Sequence, residues 1–125
     1  MAATSARSQL LYIGNDPELS KASSGLLRSA GYKVRSTNPL HVVEALNHTR
    51  YSAIILCATL SSQDVNVIVE LAKRLQPEMP IVSLQVGLLG DVPHPASSVV
   101  VDALQGPRAF LGAVESVTVF RPKAS

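Results

Sequence analysis

The stretch SAIILCAT, residues 52–59, decides how the rest of the chain is read. From Ala53 to Cys57 it is apolar at every position, and Ile54 and Ile55 are β-branched and stiff in χ1. A strand with one wet face alternates apolar and polar residues, whereas a continuous apolar run belongs to a strand covered on both faces. Residues 52–57 are therefore expected to form the central strand of a sheet sandwiched between helices. Cys57, the only cysteine, stands at its carboxyl end.

Outward from that strand, extended and helical signals alternate. QLLYI (9–13) is a short apolar run stopped by Gly14. In NDPELSKASSGLLRSAGY, Asp16 can cap a helix and Pro17 fits its first turn. Leu19, Ala22, Leu26, Leu27 and Ala30 then recur on one face until Gly31. KVRST (33–37) alternates like an edge strand, and Asn38-Pro39 repeats the cap-plus-proline device before a helix expected to turn Leu40, Val43 and Leu46 inward. After the central strand, Ser61 or Ser62 can cap a third helix with Val65, Ile68, Ala72 and Leu75 as its inner stripe. IVSLQV (81–86) and SVVVDAL (98–104) return to strand chemistry. Between them GLLGDVPHPASS (87–98) holds too many Gly, Pro and Ser residues for a well-formed helix and reads as a loop. Gly106-Pro107 opens a last helix with Phe110, Leu111, Val114 and Val117 on its buried side.

Five short strands alternating with helices specify an α/β fold, a doubly wound parallel sheet with right-handed crossovers. For this length the flavodoxin-like strand order 2-1-3-4-5 is the natural one, with the fourth helix short or replaced by the 87–98 loop. One domain over residues 9–120 is expected, with a frayed start at 1–8 and a short tail at 121–125.

Composition removes several classes of function. Eleven basic against nine acidic residues leave a net charge of +2, and the Lys and Arg are scattered, so nucleic acid is not an expected partner. No apolar run approaches the roughly 20 residues that span a bilayer, and the first residues lack the apolar core of a signal peptide. A single cysteine forms no internal disulfide. A soluble, cytoplasmic protein without membrane association is expected.

Taken together, LLYIGNDPEL, LLRSAGYKV, HVVEAL, YSAIILCATL and MPIVSL resemble, in order and spacing, the response-regulator receiver (CheY-like) domain over roughly residues 8–120. The resemblance implies a protein of bacterial two-component signalling. Such domains accept a phosphoryl group on an aspartate at the end of the third strand, with Mg²⁺ held by that residue and by an acidic pair after the first strand. The pair corresponds here to Gly14 and Asn15, and the acceptor to Cys57. The Ser or Thr after the fourth strand corresponds to Gln85, the phosphoryl-contacting lysine to Gly106, and the switch aromatic to Ala103. A hard metal ion wants carboxylate oxygens, and a thiol supplies neither those nor an acyl phosphate. Phosphoryl transfer rests on positioning and electrostatics, so losing metal ligands, lysine and acceptor together points to a degenerate pseudo-receiver that is not an enzyme and takes no cofactor or metal. The resemblance also implies a cis bond at Gly106-Pro107.

Three functions follow from that reading. The first is a stand-alone module that binds another signalling protein or a second copy of itself without phosphorylation. Its surface would be the 86–98 loop, with Val86, Leu88, Leu89 and Val92, together with the fifth strand and last helix, including Ala103 and Arg108. The second is a ligand-binding receiver using the emptied pocket of Gly14, Asn15, Cys57, Gln85 and Gly106. The third is thiol chemistry at Cys57, with His94 as a base; an inert buried thiol is the expected state, because no electropositive neighbours are evident in sequence. His41 and His48 are spaced seven apart and suit solvent better than a metal pair, and Asp16 is accounted for as a helix cap.

Overall fold

The computed structural model describes residues 9–86 and 98–118. The expected frayed start, the C-terminal tail and residues 87–97 of the expected loop, with Leu88, Leu89, Val92 and His94, lie outside the described residues. In chain order the elements are β1 (Gln9–Ile13), α1 (Pro17–Ser29), β2 (Lys33–Thr37), a 3₁₀ turn (Pro39–His41) and α2 (Val42–His48). Then come β3 (Ala53–Leu56), α3 (Ser62–Leu75), β4 (Ile81–Gln85), β5 (Val99–Asp102), a second 3₁₀ turn (Ala103–Gln105) and α4 (Pro107–Thr118). All strand pairs are parallel, in the order β2-β1-β3-β4-β5. The expected α/β class and strand order are both present, with β3 in the middle.

Register assigns the two faces of the sheet. Tyr12 pairs with Ile55, which pairs with Val82, so these share one face with Leu10 and Ala53; Leu11, Ile13, Ile54, Leu56 and Ile81 share the other. Both sets are buried, which is why SAIILCAT carries no polar alternation. Helices α1 and α4 cover the Tyr12 face, and α2 and α3, packed against each other, cover the opposite one. Each fully buried Leu or Ile contributes about 1.5–3 kcal/mol relative to an exposed one, so this two-sided sheet is the main source of stability.

Helix boundaries follow the expected caps. Asp16 accepts hydrogen bonds from the Glu18 and Leu19 amides, and Ser61 from the Asp64 amide. Gly31 ends α1 at φ 103°, a conformation open to glycine.

Two inner stripes differ from expectation. Asn38 caps a 3₁₀ turn rather than the α-helix itself, so α2 starts at Val42 and its phase shifts; Val42, Ala45 and Leu46 are buried, while Leu40 is 88% exposed and Val43 is also exposed. In α1 the buried positions are Ser24 and Leu27, with Leu19, Ala22 and Ala30 exposed. Ser24 is tolerated inside because its hydroxyl meets that of Ser36 on β2 at 2.8 Å. The expected inner stripes of α3 and α4 are in place, with Ile68, Ala72, Phe110 and Val114 buried. The fifth strand is shorter than expected, since Ala103 and Leu104 belong to the 3₁₀ turn capped by Asp102. The Gly106-Pro107 bond is trans, contrary to expectation. No helix among the described residues is long and apolar enough to cross a membrane.

Candidate functional site

In a parallel sheet the loops after the strands gather at one edge, and β1, β3 and β4 bring Gly14, Asn15, Cys57 and Gln85 there. The backbone joins them directly. The Gly14 amide donates to the Thr37 carbonyl and the Cys57 amide to the Ile13 carbonyl, extending the ladder past the formal strand ends.

The corner around Gly14 is filled. A Cβ at this position would lie 2.8 Å from Ser20 Oγ, 3.2 Å from Tyr12 Cε1 and 3.3 Å from Cys57 Cβ. Close approach, not a positive φ, is what favours glycine here: a side chain would press on Tyr12 and Cys57 and displace the Ser20 hydroxyl. Tyr12 lies two residues earlier on the same face of β1, and its buried ring leans towards Gly14. Its hydroxyl forms side-chain hydrogen bonds with Cys57 and Ser23. Burial, reinforced by the bond to Cys57, pushes the phenol well above the ordinary tyrosine range, so Tyr12 stays neutral.

Cys57 is 5% exposed. Besides Tyr12 it meets Thr59 Oγ1 at 3.2 Å. The Thr59 hydroxyl donates to Asn15 Oδ1, and Asn15 Nδ2 donates back to the Thr59 carbonyl at 3.2 Å. A chain of hydrogen bonds thus runs from Ser23 through Tyr12, Cys57 and Thr59 to Asn15, tying α1, β1 and the β3–α3 loop together. Nothing in the sequence patterning marks Tyr12, Ser20 or Thr59, because Tyr12 reads as one more apolar strand residue and the other two as loop or helix-surface polar residues.

Gln85, half-buried at the end of β4, is in register with Asp102 of β5. Gly106 lies beyond the second 3₁₀ turn at φ 97°, where a residue with a Cβ is strained even though the surrounding space is open. Val86, Ala103 and Arg108 are exposed, as is Leu104 at 72%. His41 and His48 are exposed, and His41 Nδ1 meets Asn38 Oδ1 at 3.0 Å.

A divalent cation of the receiver type does not fit these residues. Asn15 is the only side-chain oxygen donor among the three corresponding positions, and that oxygen accepts from Thr59. The nearby Asp16 accepts the Glu18 and Leu19 amides on Oδ1 as the cap of α1. Among the described residues, no three His, Cys, Asp or Glu side chains gather as a metal-binding group. A surface hollow of about 250 Å³, lined by residues including His48, Arg50 and Gln76, lies at the opposite edge of the sheet, where α2 and α3 end.

Comparison with solved structures agrees with the topology. The chain superposes on the receiver domain of a sensor histidine kinase from Pseudomonas aeruginosa PAO1, with TM-score 0.78 and 19% identity, over 89% of this chain and 97% of that one. The Pseudomonas domain has a magnesium ion coordinated in its active site cleft. The fold is that of receiver domains. A CheY-like receiver domain from Methanospirillum hungatei JF-1 matches the same receiver fold with TM-score 0.77 and 12% identity, over 94% of this chain and 98% of that one. A response regulator receiver protein from Sinorhizobium medicae WSM419 matches with TM-score 0.70 and 16% identity, over 88% and 93%. No family model matches the sequence, and no curated protein matches it significantly. The receiver fold is thus carried by a sequence far from those of its structural neighbours.

Proposed function

We propose that this chain is a pseudo-receiver: a two-component-type signalling module that binds another protein, or a second copy of itself, without being phosphorylated and without catalysing a reaction. The observation that carries the reading is the filled corner. At the edge where a receiver needs two carboxylates and an aspartate, this chain has a glycine closely approached by Ser20, Tyr12 and Cys57, an asparagine bonded to Thr59, and a buried thiol bonded to Tyr12 and Thr59. Transfer of a phosphoryl group depends on charge stabilisation that these neutral groups do not provide. The same filling speaks against a small ligand held beside Gly14. The burial of Cys57 favours an inert thiol over redox chemistry.

With chemistry set aside, surface is what remains for function. Val86, Val100 and Leu104 are large apolar residues left exposed around β4, β5 and the turn that follows, with Ala103 and Arg108 beside them. This face is the proposed contact surface. The test is the response to a phosphodonor: with acetyl phosphate and Mg²⁺, the sedimentation coefficient and the amide NMR spectrum of the protein are expected to stay unchanged. A donor-dependent shift in either would overturn the reading.

A further inference from the structure

The missing carboxylates are the visible departure from a receiver, but the packing around Gly14 adds a second one. We infer that Tyr12, assisted by Ser20, closes the corner sterically, so that restoring three carboxylates at positions 14, 15 and 57 does not restore a divalent-cation site unless Tyr12 and Ser20 are also reduced. The inference rests on the pseudo-receiver reading and explains what maintains that state.

The contacts rank the two obstacles. Ser20 Oγ is the nearer at 2.8 Å, but it turns away by rotation about a single bond. Tyr12 has no such freedom. It is 1% exposed, and its hydroxyl is held by Cys57 and Ser23, so its ring edge, 3.2 Å from a Cβ at position 14, gives way less readily than a serine hydroxyl. A carboxylate extends beyond its Cβ and needs more room than the Cβ alone. Smaller side chains at 12 and 20 would open that room and would also release the thiol-bearing corner from Tyr12.

The experiment compares two variants of the full chain by calorimetric titration with Mg²⁺ alone. One carries Gly14→Asp, Asn15→Asp and Cys57→Asp; the other adds Tyr12→Val and Ser20→Ala. The expanded variant is expected to bind Mg²⁺ at least about tenfold more tightly than the three-carboxylate variant. Equal affinities, or no binding by either, would overturn the inference. Saturable Mg²⁺ binding at this corner in the unmodified chain would instead overturn the pseudo-receiver reading, so the two failures are distinct. If the carboxylate variants do not fold, a stability cycle decides: Gly14→Ala is expected to lower the melting temperature markedly in the native background and much less with Tyr12→Val and Ser20→Ala present. Equal losses in both backgrounds would contradict the role given to these two residues.

Discussion

Tyr12 is buried with its hydroxyl on Cys57 and Ser23, and this placement has a consequence that can be titrated. In an unfolded chain a tyrosine ionises near pH 10, whereas burial holds the Tyr12 phenol protonated well beyond that. Below about pH 10 both states keep the proton and the contribution of Tyr12 to stability is complete. Above it the unfolded state releases the proton first, so stability falls as pH rises. Urea unfolding from about pH 10 upward is expected to show a steeper loss for the native chain than for Tyr12→Phe, by up to about 1.4 kcal/mol per pH unit. Parallel slopes would contradict the buried, neutral phenol. The same residue shows where sequence reading stops. The sequence places Gly14, Asn15 and Cys57 where the resemblance to receivers leads one to expect charged residues. What crowds a side chain at 14 is a contact between residues two apart along β1 and another on the facing helix, which no spacing rule reports.

Among the elements, the strands were the most legible and the helix phases the least. A strand such as Ala53–Leu56, covered on both sides, announces itself by its continuous apolar run. The phase of α2 depends on whether Asn38-Pro39 starts an α-helix or a 3₁₀ turn; the three-residue turn moves Leu40 and Val43 out of the core and brings Val42 and Ala45 in. In α1 a serine outside the expected stripe, Ser24, is buried, and Ser36 stands opposite to satisfy its hydroxyl. Gln76, just after α3, is a third case. It is 7% exposed, and its side chain donates to the Leu46 and Thr49 carbonyls at 3.0 and 2.7 Å and accepts from the Tyr51 amide at 3.2 Å. It therefore ties together the end of α2, the approach to β3 and the end of α3. Replacing Gln76 by Leu keeps much of its bulk but leaves three backbone groups without this partner. A loss of about 2–3 kcal/mol in urea unfolding is expected. A change below about 0.5 kcal/mol, the ordinary range for a surface position, would show that Gln76 does not join these elements.

At the scale of the whole molecule the fold is that of receiver domains, and the chemistry of a receiver's catalytic edge is proposed to be absent from it. The five-stranded order and the α3 and α4 packing stripes are those expected from sequence, because they depend on apolar periodicity, which tolerates large changes in residue identity. The corner where the strands end is occupied instead by neutral, mutually hydrogen-bonded side chains. The trans bond before Pro107 and the positive φ of Gly106 likewise set the β5–α4 connection apart from the expected form. The central claim is that this molecule carries no phosphoryl acceptor. It is tested most directly by the intact mass of the protein after incubation with acetyl phosphate and Mg²⁺, measured without acid or hydroxylamine treatment. The account predicts an unchanged mass at every time point, and stoichiometric addition of one phosphoryl group, removable by hydroxylamine, would contradict it.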